Sequence, residues 1–226
     1  EWTPATIRLL EHPWRDDFSE ARNFAQDACH GDWIVVLDGD EVLEPGDLRA
    51  SIHAAPDHAV DSLAVLVEPR SLQIRAHRKV GVRWSHPVHN QLLGVHHTAP
   101  TTARIRRSYD KGGRHRFDRT VPLLERYYGE HPDDPHAPHY LARAYMIRDW
   151  SESKRWAEMA IRLAPPTHML YASSWAALTT ATYMVDGLDE ALRVVDQGLV
   201  HHPHHPDLWM LKMNLSAIGW RRCIVD

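Results

Sequence analysis

The sequence predicts an α/β region followed by an all-helical one, and three observations carry that prediction. Between Asp16 and Leu43 a capped helix leads into a short apolar strand that stops at a cluster of acids. Strand-like runs separated by turn residues then continue to Tyr109. From Phe117 onward the apolar spacing turns helical and stays helical, with a recurring helix-pair pattern. The 226 residues, 43% of them hydrophobic, suffice for two small cores.

Taken in order, Thr6 to Leu10 is expected to form a short strand and Pro13-Trp14 a turn. Asp17 should cap the next helix, with Glu20 returning a bond to the cap's own amide and Gly31 ending it. Phe18, Ala21, Ala25 and Ala28 share one face of that helix. Trp33 to Leu37 is an unbroken apolar, β-branched run too short for a helix, which predicts a central parallel strand covered on both sides. A helix from Asp47 to Ala55 has Leu48 and Ile52 on one face, and Ser62 to Val67 reads as a second apolar strand. A basic stretch from Ile74 to Trp84 and a strand from Thr101 to Tyr109 complete the α/β half, with Asp110 to Gly113 as a loop.

The acids Asp38-Gly39-Asp40-Glu41 follow the Trp33 to Leu37 run directly. Ligands of open α/β sheets bind beyond the carboxyl ends of strands, which is where these residues fall. On an extended segment Asp38 and Asp40 would point the same way and share one hard cation, and Gly39 would leave room for a diphosphate. Asp-Gly is also a common hairpin turn, although an uninterrupted apolar strand after a capped helix makes a poor hairpin arm.

Trp14, Asp17-Phe18-Ser19, Ala21-Arg22-Asn23, Asp32-Trp33 and Leu37-Asp38-Gly39-Asp40-Glu41 together resemble family 2 glycosyltransferases of the Rossmann-like GT-A fold. The resemblance implies an inverting, metal-dependent transfer of a sugar from a nucleoside diphosphate donor, expected to be a UDP-sugar. The acceptor would be a hydroxyl, amine or thiol on a carbohydrate, peptide or protein. Asp38 and Asp40 would hold Mg²⁺ or Mn²⁺, Glu41 would support that loop within the substrate site, and Arg22 with Asn23 would lie beside the donor phosphates. The resemblance also implies that two strands gripping the nucleobase and ribose precede Glu1. Residues 1–114 are then expected to be a partial domain that keeps the diphosphate and metal side of the donor site, and the 226 residues by themselves are expected to be inactive.

Further along, His86-Pro87-Val88-His89-Asn90 resembles the family's Val-His pattern, which implies that His89 stands at the far wall of the cleft. A half-buried histidine bonded to backbone is the competing reading. Asn90 occupies a position where many relatives carry Glu, and an amide cannot take the acceptor's proton. Asp110 is the carboxylate left as a candidate base, although an acid opening a Gly-rich turn explains it as well. Ser108, Tyr109 and Asp110 stand about where relatives place a metal-binding histidine, so a third metal ligand stays unassigned.

In the helical half, Val121, Leu124, Tyr127 and Tyr128 form one stripe that ends at Pro132 to Pro135. Leu141, Ala142, Tyr145, Ala160 and Pro165 resemble one tetratricopeptide unit. Trp175, Leu178, Thr179, Ala191, Val195, Gly198 and Pro203 match a second more closely, and Asp207-Leu208-Trp209 would open a third. Ala191 and Gly198 are small enough for paired helices to approach. Residues 115–226 are therefore expected to be a helical repeat region, serving as a groove for a protein partner or as a buttress for the first domain. Trp150, Trp156 and Trp175 read as helix-interface core. His201-His202-Pro203-His204-His205 is the densest part of 18 histidines; it reads as a solvated loop in preference to a transition-metal site, because no carboxylate or cysteine lies beside it.

Composition excludes other classes. A net charge of −4 argues against a nucleic-acid partner, and no apolar run approaches the roughly 20 residues of a membrane span. Cys29 and Cys223 have no zinc or disulfide spacing, which fits a cytoplasmic protein, working in solution or at the inner face of the membrane. Two rivals to the transferase remain. Val35 to Val42 also satisfies the motif of haloacid dehalogenase-type phosphatases, with Asp38 as nucleophile, although that family's other parts are absent. A non-catalytic helical-repeat adaptor with a degenerate transferase remnant is the other.

Overall fold

In the computed structural model, which describes residues 7–44, 46–55, 59–67, 71–107, 113–146 and 148–225, the chain divides into two compact units, Glu1–Gly112 and Gly113–Asp226. The first opens with helix α1 (Phe18–Asp27), capped by Asp17 Oδ1, which accepts from the amides of Ser19 at 2.7 Å and Glu20 at 3.1 Å. The reciprocal half of the expected capping box is replaced. Glu20 turns outward to Arg15 and His12 instead. The helix stops at Ala28, ahead of Gly31.

Its buried side is also other than the alanine stripe predicted. Ser19 and Gln26 are buried, Arg22 and Asn23 are half-buried, and Ala25 is exposed. The reason lies in what the helix packs on. The backbone between Lys79 and Trp84 presents carbonyls and an amide that need partners. Gln26 Nε2 donates to Val82 O at 2.7 Å, and Asn23 exchanges two bonds with the backbone of Trp84. Amide side chains satisfy that surface where alanines cannot.

After α1 come β1 (Trp33–Val35), β2 (Glu41–Leu43), α2 (Leu48–Ala54), β3 (Ser62–Val67), β4 (Ser71–Arg78), β5 (Arg83–Ser85), β6 (Gln91–Leu93) and β7 (Thr98–Arg107). Five strands form one sheet in the order β1-β4-β3-β7-β2, and β5-β6 form a separate ribbon. Among the described strands only β3 and β7 pair in parallel. The expected central parallel strand is thus corrected: β1 is three residues long, lies at the sheet edge and runs antiparallel to β4. Its apolar content reflected burial on one side, by Ile34 at 7% exposure, while Val35 on the other is 42% exposed. The expected strand from Thr6 to Leu10 is corrected too. Residues 7–10 are irregular, with Ile7 and Leu9 exposed, because no described strand offers them a ladder; Thr6 lies outside the described residues.

β1 and β2 are the two edges of the sheet, yet only residues 36–40 join them. Edges of a flat five-stranded sheet would stand about 19 Å apart. Part of the link is spent on a tight turn in which the Glu41 amide donates to Asp38 O at 2.9 Å. The sheet therefore curls into a half-barrel, and the turn at Asp38 closes its mouth. The main core, Leu48, Leu63, Val65, Val67, Ala76, Ala103 and Ile105, fills the space between the sheet and α2, with Trp33, Leu43 and Ile52 packed against it.

The second unit is six helices: α3 (Gly113–Glu130), α4 (His136–Tyr145), α5 (Trp150–Leu163), α6 (Tyr171–Val185), α7 (Leu188–His201) and α8 (Pro206–Val225). Most of the residues read as repeat positions are buried. Leu141, Ala142, Ala160, Ala191, Val195 and Leu208 are wholly buried, and Trp156, Trp175, Leu178 and Thr179 nearly so, whereas Tyr145 and Trp150 are half-buried and Pro165, Pro203, Asp207 and Trp209 are exposed. Gly198 sits where α7 crosses α6. A Cβ placed on it would meet Trp175 Cβ at 3.0 Å and Leu208 Cδ1 at 3.3 Å, so the glycine is what permits this approach. Polar ties fix the same interfaces: Ser153 Oγ donates to Ala142 O at 2.8 Å, and His139 Nδ1 lies 2.9 Å from Ser174 Oγ. Asp149 caps α5 through the amides of Ser151 and Glu152. Among the described residues no helix is long and apolar enough to cross a membrane.

Candidate functional site

The mouth of the half-barrel gathers five charged side chains from four elements. Glu41, at the start of β2, has a side chain with no exposed surface. Its Oε1 accepts from Arg75 Nη2 at 2.5 Å and from Arg107 Nε at 2.9 Å, and its Oε2 accepts from the Asp38 amide at 3.0 Å. Asp38 in turn faces two guanidiniums. Its Oδ1 lies 3.0 Å from Arg22 Nη2 and its Oδ2 lies 3.6 Å from Arg75 Nη2. Arg75 is 5% exposed, whereas Asp38 keeps 39% of its side chain open.

Each partner is positioned by a local feature of the chain. Arg75 falls where the register of β3 and β4 shifts, since Leu63 pairs Ala76 while Ala64 pairs Ile74. It is the extra residue of a β-bulge, and bulges re-aim side chains. Its carbonyl also accepts from the Val36 amide at 2.9 Å, so one residue grips both ends of the 36–41 link. Arg22 projects from α1 with its guanidinium 4.5 Å from the centre of the Trp84 ring. Burial pulls Arg22 below the ordinary arginine pKa, and the neighbouring Asp38 opposes that shift; the group stays charged.

These placements revise several expectations. Asp38 and Asp40 do not lie on an extended segment, because Gly39 and Asp40 are the central residues of a tight turn. The i, i+2 argument that aligned their side chains therefore does not apply. Asp40 is exposed, and a Cβ built on Gly39 meets nothing within 4 Å, so the outer side of the turn is open. Glu41 is a support of the turn with no surface to offer a ligand. Asn23 is committed on both sides of its amide to Trp84, so it fastens β5 to α1. Asn90 donates from Nδ2 to His86 O and closes the loop between β5 and β6. His89 is exposed in that loop, in a left-handed conformation at φ 53°. The loop reaches α1, where the Phe18 amide donates to Pro87 O at 3.0 Å. Asp110, the candidate base, lies outside the described residues, as do Ser108 and Tyr109.

Among the described residues no group of three or more histidine, cysteine or acidic side chains is placed to hold a metal ion. In the His201 to His205 segment, His201 packs on Tyr171 and Trp175 and His202 packs on Tyr171. The turn could nonetheless offer two carboxylates flanking a glycine, beside open space, to a divalent cation. Two protein carboxylates leave most of an octahedral shell to a bound ligand and water. What sequence reasoning missed is the pair Arg75 and Arg107. They sit on strands remote in sequence from the acids, and their only signal was that strand arginines facing inward need a buried acid.

Residues 3–114 match the family described as Glycosyl transferase family 2. A TPR repeat-containing protein of Synechococcus elongatus is 29% identical over 188 residues, covering 73% of this chain and 47% of that protein. The chain thus spans about half the length of this relative. Among solved structures, the second TPR domain of human RPAP3 in complex with an HSP70 peptide is 19% identical at a TM-score of 0.41, covering 46% of this chain and 84% of that one. The first TPR domain of Spaghetti (RPAP3) bound to an HSP90 peptide is 16% identical at a TM-score of 0.42, covering 47% and 82%.

Proposed function

Since residues 3–114 form a family 2 glycosyltransferase domain, followed by tetratricopeptide-like helices, we propose that the protein moves a sugar from a nucleoside diphosphate to an acceptor, with inversion at the anomeric carbon. The donor is a UDP-sugar and the acceptor a carbohydrate, peptide or protein. The observation that carries this reading is the Asp38 turn. It combines two carboxylates, an open glycine and two guanidiniums, which is the mixture of charges a diphosphate leaving group with its counterion calls for.

In this reading Asp38 and Asp40 hold the ion, Mg²⁺ or Mn²⁺, whose charge would offset that of the departing diphosphate. Arg22 stands at the rim, half-exposed, and is the side chain that turns to the phosphates. Trp84 orients Arg22, and Asn23 orients Trp84. Glu41, Arg75 and Arg107 keep the turn in one shape, so that no part of the donor's binding energy is spent on ordering it. The acceptor's nucleophile attacks the anomeric carbon, its proton passes to a carboxylate, and the bond to the diphosphate oxygen breaks. Asn90 cannot take that proton, and Asp110 is the carboxylate we assign to it. The half-buried Cys29 is a free thiol, which supports a reducing compartment such as the cytoplasm.

The helical unit is proposed as the surface for a protein partner. α8 supports this: Leu208 and Leu215 are buried while Trp209, Met210 and Met213 face outward.

The test is calorimetric titration of UDP in Mn²⁺. Asp40→Asn should abolish metal-dependent nucleotide binding and leave the circular dichroism spectrum unchanged, because Asp40 is exposed and asparagine keeps its size. Binding that survives the substitution would remove the donor site from the turn.

A further inference from the structure

The same carboxylate that the proposed function gives to a divalent ion is held, in this structure, by arginine. Asp38 Oδ1 is bonded to Arg22 at 3.0 Å, and Oδ2 faces Arg75 at 3.6 Å. The two arginines differ in what they can do. Arg75 is 5% exposed and is bonded to Glu41 and Gln73, and its departure would take from buried Glu41 one of its two guanidiniums. Arg22 is 28% exposed, and among the described residues it also lies over the face of Trp84, 4.5 Å away. A guanidinium lying on an aromatic ring can slide along it and keep the attraction.

From this we propose that Arg22 is a positioning residue that acts as a latch. It occupies Asp38 when no donor is bound, and passes to the diphosphate when donor and divalent ion arrive, so that Asp38 becomes free to meet the ion only in the ternary complex. The inference rests on the donor-site reading of the Asp38 turn. It follows from charge balance at the mouth of the half-barrel. Arg22, Arg75 and Arg107 face Asp38 and Glu41 there, and the carboxylate of Asp40 brings the sum of the mouth to zero, so a bare dication finds Asp38 already neutralised. A diphosphate arriving with the ion reverses this, because it supplies the anion that Arg22 gives up. Metal and nucleotide then favour one another's binding through Arg22 as well as by direct contact, and such coupling is reciprocal.

The latch makes an unusual demand. Removing Arg22 should help one ligand and harm the other. Replacing an arginine that only contacts phosphate would weaken nucleotide binding and leave the affinity for Mn²⁺ alone where it was. Removing the latch exposes Asp38 and also lifts a repelling charge, so Arg22→Gln should bind Mn²⁺ alone about fivefold more tightly, the equivalent of a partly exposed ion pair. With UDP present the same variant should bind nucleotide about tenfold more weakly, and the factor by which UDP tightens Mn²⁺ should fall.

The experiment is electron paramagnetic titration of free Mn²⁺ on the full chain, with and without UDP, for the unaltered protein, Arg22→Gln, Arg22→Lys and Asp38→Asn. Gln keeps the stem packed on Trp84, and Lys keeps the charge while losing the flat stacking; Lys is expected to behave like the unaltered protein for metal alone. Tighter Mn²⁺ binding by Arg22→Gln that disappears when Asp38→Asn is added establishes the latch. If Arg22→Gln binds Mn²⁺ no more tightly than the unaltered protein, the latch is wrong even though the donor site stands. If Asp38→Asn leaves the unaltered protein's Mn²⁺ binding intact, the donor-site reading itself fails.

Discussion

Glu41→Gln is the substitution with the largest expected effect for the smallest change of shape. Glu41 has three partners, the amide of Asp38, Nη2 of Arg75 and Nε of Arg107, and all three are donors. Glutamine offers one acceptor oxygen and one donor nitrogen. Placing its oxygen at the Oε1 position keeps both arginines, but its NH₂ then faces the Asp38 amide, donor against donor. Turning it over orphans the arginines instead. In either orientation Arg75, 5% exposed, loses its nearest negative charge and keeps the more distant Asp38, 3.6 Å away. Removing one member of a buried pair costs about 3 to 5 kcal/mol, since the remaining charge is left uncompensated. Against a typical total of about 5 to 15 kcal/mol, the first unit would approach unfolding. Urea denaturation followed by peptide-resolved hydrogen exchange is the suitable assay, because it reports β3, β4 and β7 separately from the helices. The midpoint for the strands should fall by about 2 M for a slope of about 2 kcal/mol/M, with the α4 to α7 peptides unmoved. Adding Arg75→Met should recover part of the loss by removing a buried charge that then has Asp38 alone to face it. A loss under about 1 kcal/mol, the level of an exposed pair, would refute the claim that this cluster is a buried electrostatic clamp.

Three further outcomes can be checked. Gly198→Ala gains about 1 kcal/mol of helix propensity but places a methyl 3.0 Å from Trp175 Cβ, an atom tied to backbone, so a net loss of up to about 2 kcal/mol is expected in thermal melts; a stabilised variant would mean that α6 and α7 can part freely. Burial lowers the pKa of His77, whose Nδ1–H donates to Arg78 O and whose Nε2 is buried without a partner. The unfolded chain then binds a proton that the folded one refuses, so the stability of the first unit should be full above about pH 6.5 and decline as pH falls below it, and His77→Gln should flatten that slope; parallel slopes would refute the assignment. Residues 113–226 expressed alone should give a helical circular dichroism spectrum and a cooperative melt, because repeat contacts run between sequence neighbours; a non-cooperative melt would make the helices dependents of the first unit.

Much of this protein was determined by its sequence alone, and where that held, the information was local. Asp17 caps α1 because a carboxylate two and three residues ahead of free amides can reach them in any context. Ser62–Val67 forms β3 because its apolar run is too short for a helix, and Leu48–Ala54 forms α2 because Leu48 and Ile52 fall on one helical face. The repeat helices pack through the positions that the 34-residue pattern marks, from Leu141 and Ala142 to Val195 and Gly198, since each repeat buries its face against the next in the chain. The family resemblance was legible for the same reason, as its motif lies within one run of residues.

Tertiary structure alone decided what depended on distant partners. Strand direction was one such matter: an apolar run says that a strand is buried, and β1 became an antiparallel edge because β4 is the strand it meets. The polar packing face of α1 was another, since it is dictated by unpaired backbone groups some 60 residues away at Val82 and Trp84. The Asp38 cluster was a third. Its acids could be read, but its geometry comes from the curl of the sheet and from one bulged residue, Arg75. These bring arginines from two remote strands onto Glu41, turn the expected extended ligand pair into a tight turn, and leave Arg22 holding Asp38. Charges separated by tens of residues interact only once the backbone has folded them together, and no periodicity in the sequence records that encounter.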